Sequence, residues 1–192
     1  MNKQQLAAKI WESANQMRSK IEANEYKDYI LGFIFYKYLS EQEEQWLHSK
    51  GYEAENIQEY VNENAPDAYS GKSNLQQNLG YFISYENLFS TWIQKGVDFS
   101  IDDVSVALSA FNRLISPTHK KVFEGIFQTL EVGLSKLGEN AKMQSKAASD
   151  LIHLIDEIPM NGRQDYDVLG FIYEYLLEKF ASNAGKKAGE FY

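Results

Sequence analysis

The sequence contains no cysteine, only three prolines and only three histidines in 192 residues. Without cysteine there is no disulfide, no thiolate metal site and no thiol nucleophile. The absence also fits a cytoplasmic chain. The prolines (66, 117 and 159) all fall between segments of helical periodicity, where a missing N–H breaks no ladder. His48, His119 and His153 lie far apart, without acids at metal-ligand spacing, and no His-Glu-x-x-His occurs. Each reads as a surface or packed histidine. His153, beside the apolar face of its helix, reads as packed in a core or interface. No two of the twelve glycines stand two apart, which removes the Gly-x-Gly of dinucleotide-binding loops. Gly-x-Ser-x-Gly is missing as well. The longest apolar-rich run, "YILGFIFYKYL" at 29–39, is too short to span a bilayer. The opening "MNKQQLAAKIWESANQMRSK" has no apolar core of signal-peptide type.

What is present is bulk and acid. The chain is 44% hydrophobic and 14% aromatic, with thirteen Tyr and eleven Phe, a composition that can build a core. Its formal net charge is −8. Seven acids (Glu41, Glu43, Glu44, Glu53, Glu55, Glu59 and Glu63) stand against Lys50 alone between residues 41 and 64, so most of that charge sits in one stretch. The balance disfavours a surface that grips a nucleic-acid backbone over a whole face. The acidic run reads as a solvated helix face, and general acid/base catalysis is the weaker use of it.

The apolar spacing predicts helices. Ala7, Ile10, Trp11, Ala14, Met17 and Ile21 make one amphipathic face. A second helix, about 26–48, is apolar over so much of its circumference that it belongs at the centre of a bundle. Gly51 is its stop signal. A short helix near 57–61, a loop around Pro66 and Gly71, and helices at 85–93, 104–115, 140–158 and 165–181 follow. Residues 118–138 read as partly helical. The expected fold is all-α, a multi-helix bundle-like domain, with room for a very short strand or hairpin near 79–84. Tyr26, Tyr29, Phe33, Phe35, Tyr36 and Tyr38 read as core, with tyrosine hydroxyls reaching water or a partner. The competing use, stacking on single-stranded bases, would need more interleaved cations than Lys27 and Lys37. No catalytic constellation is visible, so the residues alone support a helical, acidic, cytoplasmic interaction domain.

Two blocks carry more. "YKDYILGFIFYKYLSE" (26–41) follows a Trp-bearing helix, and "YDVLGFIYEYLLEKFASNAGKKAGEFY" covers 166–192. Together they resemble the modification (M) subunit of type I restriction–modification systems. Leu31, Gly32, Phe35, Lys37, Tyr38 and Leu39 answer the family's Leu-Gly-x-x-Phe/Leu-x-Lys-Tyr-Leu helix, though not at every spacing. Asp167, Gly170, Tyr173, Glu174 and Tyr175 match its Asp-x-x-Gly-x-x-Tyr-Glu-Tyr. The segment that ends in Gly-Glu-Phe-Tyr has Ala188 where the family often has a glycine. The likeness spans the whole length and is weakest in the middle. It implies a helical N-terminal domain over 1–182, and a linker and start of the methyltransferase domain over 183–192. On this reading the chain is an N-terminal piece that is inactive by itself, since it holds no Asn-Pro-Pro.

The full-length protein implied is a DNA methyltransferase that moves a methyl group from S-adenosylmethionine to adenine N6, acting on a base out of the stack. Phe191 and Tyr192 would wall the cofactor once the missing domain is attached, or simply pack against that domain. Lys186 and Lys187 are candidates for a phosphate or hinge role, the plainer reading being a solvated linker. The implied partners are the specificity and restriction subunits, a second M subunit and double-stranded DNA, with no membrane. The domain would serve subunit assembly and help enclose DNA. A stand-alone helical interaction module without enzymatic activity is the second reading, and a single-strand nucleic-acid binder the third.

Overall fold

A computed structural model describes residues 2–17, 23–66, 70–160 and 167–188. Among them are ten α-helices and no strand. In order these are α1 (Lys3–Met17), α2 (Ala23–Ser49), α3 (Ala54–Tyr60), α4 (Lys72–Leu79), α5 (Phe89–Lys95), α6 (Ile101–Arg113), α7 (Lys120–Phe123), α8 (Gln128–Gly133), α9 (Ala141–Asp156) and α10 (Val168–Ala188). Short 3-10 turns at Tyr85–Asn87, Gly96–Asp98, Pro117–His119 and Leu134–Leu137 link several of them. The all-α expectation is met. The helix α4 lies just past the loop around Pro66 and Gly71, in a stretch where the sequence reading places no helix. No described helix is long and apolar enough to cross a membrane.

The chain divides into two compact units, one of residues 1–35 and 132–192, the other of 36–131. The helix α2 gives its first half to the former and its second half to the latter. In the first unit α1 packs on α9 and α10. Leu6 and Ile10 of α1, Ile30 and Phe33 of α2, Leu151 and Ile155 of α9, and Ile172 and Leu176 of α10 are all buried. The Asn140 side chain starts α9 by accepting from the Met143 amide at 2.9 Å, the bond an N-cap residue supplies. Tyr29 Oη donates to the Gly133 carbonyl at 2.5 Å, inside the unit.

The second unit has an aromatic centre. Tyr36 stacks on Trp92 with ring centroids 4.7 Å apart and meets Phe127 edge-on. Phe111 of α6 in turn packs edge-on against Phe127 and beside Tyr81. These offset and T-shaped pairs add to burial because ring edges are positive and faces negative. A second cluster joins Leu47, Ile57, Val61, Leu75, Phe82, Ala110 and Leu114. The sequence begins the α6 helix too late, at 104. Ser100 and Asp103 set its start at 101, the Asp103 carboxylate accepting from the Ser100 amide at 2.9 Å.

Residues 81–84 are buried and extended but pair with no strand among the described residues. The residue before them, Gly80, has φ +91° and closes α4. A Cβ there would stand 2.6 Å from the His119 ring, and a left-handed backbone already disfavours one. Gly80→Ala is therefore expected to lower stability by about 1–2 kcal/mol or more, seen as a lower urea midpoint at unchanged slope. His119→Ala added to it should leave most of that loss in place, because the strained φ remains.

Candidate functional site

The described residues hold no cluster of three or more His, Asp or Glu able to hold a metal ion. His48 Nδ1 donates to the Tyr52 carbonyl at 3.1 Å, and His119 lies over Phe123 with Nδ1 2.9 Å from Thr118 Oγ1. His153, expected in a core or interface, faces solvent and donates from Nδ1 to the Ser149 carbonyl one turn back at 2.7 Å. Its position is one step past the buried Leu151 and Ile152, on the outer side of α9. None of the three sits in a catalytic arrangement.

Phe35 and Tyr38 are half-buried, but Tyr26, Tyr29, Phe33 and Tyr36 are buried, so the single-strand reading loses four of its six residues. Their hydroxyls do not reach water or a partner either, where the structure shows their bonds. Tyr36 Oη donates to the Asn87 carbonyl at 2.7 Å, as Tyr29 does to Gly133. Burial pushes the Tyr29 hydroxyl up to about 12, with Glu25 and Asp28 adding to the rise.

The acidic run is not uniformly a solvated face. Glu53, Glu55 and Glu59 are exposed, but Glu43 is completely buried. Its Oε1 accepts from the Ile83 amide at 2.8 Å, and its Oε2 has no hydrogen-bond partner. Burial drives its pKa well above the usual carboxylate range, against the pull of the Ile83 bond and with a further push from Glu44. Helical spacing is the signal that finds it: Tyr36, Leu39, Ser40, Glu43 and Leu47 follow a three- and four-residue rhythm on one buried stripe. Its bond to the Ile83 amide gives it a structural role. Glu43 holds the extended 81–84 segment to α2.

The family-like block at the end of the chain resolves into parts. Asp167 is the cap of α10: its Oδ1 accepts from the Gly170 amide at 3.1 Å and its carbonyl from the Phe171 amide at 3.0 Å. A Cβ on Gly170 would stand 2.3 Å from the capping carboxylate, which explains the Asp-x-x-Gly spacing. Tyr173 and Glu174 point outward, and Tyr175 joins Ala7, Ala8 and Trp11 around a pocket of about 320 Å³ between α10 and α1. Phe171 stacks on Tyr175 at 6.1 Å, with the Lys3 ammonium 5.7 Å from its ring. The sequence places the end of this helix at about 181, whereas the backbone stays helical to Ala188. No proline intervenes, and one internal glycine, Gly185, costs a helix only about 1 kcal/mol. Lys186 and Lys187 thus lie in the last turn of α10, their side chains outside the described residues. Phe191 and Tyr192 also lie outside the described residues.

The Trp-bearing helix and the central aromatic helix lie in a stretch matched by a known family. The model of the HsdM N-terminal domain matches residues 6–158. The chain belongs to the HsdM N-terminal domain family. A second model, N-6 DNA Methylase, matches residues 164–192. The chain is 27% identical to the type I restriction enzyme MpnII methylase subunit of Mycoplasma pneumoniae, over 96% of its own length and 36% of that protein. It is 24% identical to the MjaIX methylase subunit of Methanocaldococcus jannaschii, over 95% of its length and 32% of that protein. The chain thus spans about a third of these curated relatives. A solved structure, the type I restriction–modification methyltransferase subunit from Streptococcus thermophilus, superposes with a TM-score of 0.76 at 25% identity, covering 96% of this chain and 40% of that one.

Two outcomes follow from this geometry. Asp167→Ala should cost α10 about 1 kcal/mol, seen as roughly fivefold faster amide exchange at Gly170 and Phe171, while Asp167→Asn restores most of the protection. For Glu43 the sign runs through the proton count. The folded state keeps the proton that the unfolded state releases above about pH 4.5, so folding weakens as pH rises. Glu43→Gln keeps an acceptor for Ile83 and removes the titration. Its melting temperature should gain on the parent steadily from pH 5 to pH 8, and a constant gap across that range would refute the assignment.

Proposed function

We propose that this HsdM-type domain works as the helical assembly part of a type I DNA methyltransferase subunit. The protein carrying it transfers a methyl group from S-adenosylmethionine to adenine N6 in double-stranded DNA. The observation that carries this is the succession of two families along one chain, HsdM N-terminal domain and then N-6 DNA Methylase. The relatives named as methylase subunits support the same reading. No comparison favours a stand-alone interaction module.

In this reading the chemistry belongs to the methylase region and the helical region positions it. The described residues present no metal cluster, which suits an assembly role. The net charge of −8 favours protein partners over general phosphate contact on most of the surface. The specificity subunit, the restriction subunit and a second methylase subunit are the partners we assign, in the cytoplasm, with the domain helping to enclose DNA. The handover between regions runs through α10 into residues 183–192. There Lys186 and Lys187 act as a local phosphate or hinge contact, and Phe191 and Tyr192 line the cofactor side of the methylase region.

Tritiated S-adenosylmethionine and plasmid DNA provide the test. Residues 1–192 alone should transfer no label. The chain continued by its own methylase region, supplied with the specificity subunit, should label DNA as N6-methyladenine. Label transferred by residues 1–192, or none transferred by the complete complex, would refute the proposal.

A further inference from the structure

A surface helix normally carries one apolar stripe and keeps its other sides polar. The first ten residues of α10, "VLGFIYEYLL", contain one charge. Val168, Ile172 and Leu176 are buried in the first unit and account for one side of the helix. Phe171 and Tyr175 form a second side, Tyr175 bordering the pocket with Ala7, Ala8 and Trp11. Tyr173 and Leu177, one turn apart, form a third and are 53% and 38% exposed. A helix apolar on three sides is a core helix, and among the described residues this unit buries one of them fully, the second by half and leaves the third exposed. The small side chains of Ala7 and Ala8 leave the pocket floor open between two large aromatics.

We infer that α10 is a core helix shared by two domains, its Tyr173–Leu177 side and the Trp11–Tyr175 pocket forming the seat of the methylase region. The inference rests on the methylase-subunit reading and deepens it by naming the surface. The occupant is chosen by the family match: residues 164–192, which include all of α10, already belong to the N-6 DNA Methylase pattern rather than to the helical one. The side of α10 turned toward the first unit is the one already filled.

Hydrogen exchange read by mass spectrometry tests this on residues 1–192 and on the same chain continued by its methylase region. Peptides covering 168–178 and 7–11 should exchange at least tenfold more slowly in the longer protein. The double change Tyr173→Lys with Leu177→Lys should return that protection to the short-chain level. It should leave the melting curve of residues 1–192 unchanged, because both side chains are exposed there. Equal protection in the two proteins, with methyl transfer intact, overturns the shared-helix assignment and spares the proposed function. A continued chain that methylates nothing overturns both. Protection that rises with concentration in residues 1–192 alone, alongside a dimer in light scattering, overturns the assignment in favour of a second copy as occupant.

Discussion

The stretch from Tyr81 to Phe89, buried except at Tyr85 and Glu86, has no strand beside it among the described residues, yet its polar backbone cannot be left unanswered. An orphaned buried amide or carbonyl costs about 1–3 kcal/mol, and proteins rarely tolerate one. One stripe of α2 supplies the partners. Glu43 takes the Ile83 amide, Ser40 Oγ takes the Phe89 amide, and the Leu39 carbonyl takes the Tyr81 hydroxyl. Tyr36 donates to the Asn87 carbonyl, and Glu44 accepts from the Ser90 hydroxyl. Backbone bonds add to these, among them Tyr85 to Val61, Asn87 to Ser84, Leu88 to Tyr85 and, just before the stretch, Ser116 to Gly80. The side chains of a helix here do what a neighbouring strand does in a sheet. The aromatic packing of the second unit depends on this, because Tyr36 both stacks on Trp92 and holds Asn87.

Such an arrangement has a cost at Glu43. A carboxylate serves as acceptor for a buried amide only if its own burial is tolerated, and burial favours its neutral form. The second oxygen without a partner adds to that penalty. In exchange the extended segment is held in one register against α2, which places Phe82 in its cluster and Tyr81 beside Phe111.

The other family-bearing block works by a different division of labour. Asp167 and Gly170 are one device, a cap whose carboxylate occupies the space a side chain at 170 would need. Tyr173, Glu174 and Tyr175 are free of that duty and face outward or into the pocket beside Trp11. Motif residues adjacent in sequence thus serve separate ends, one fixing where the helix starts and the other presenting it.

Periodicity was enough to find the long helices, since α1, α2, α6, α9 and α10 each bury one stripe or more and the 3.6-residue rhythm records it. The family was legible in the Asp167–Tyr175 block and in residues 26–41, which carry local devices and a central helix. Burial of Tyr29 and Tyr36 was legible too, as their apolar neighbours repeat every three or four residues. What only the tertiary structure decided was the fate of polar groups. Glu43 looks like its exposed neighbours in composition, and its difference comes from Ile83, forty residues away. The hydroxyls of Tyr29 and Tyr36 end on carbonyls 104 and 51 residues distant. Local sequence sets which face of a helix is apolar; a hydrogen bond across the fold depends on where another segment is brought, and no local pattern encodes that.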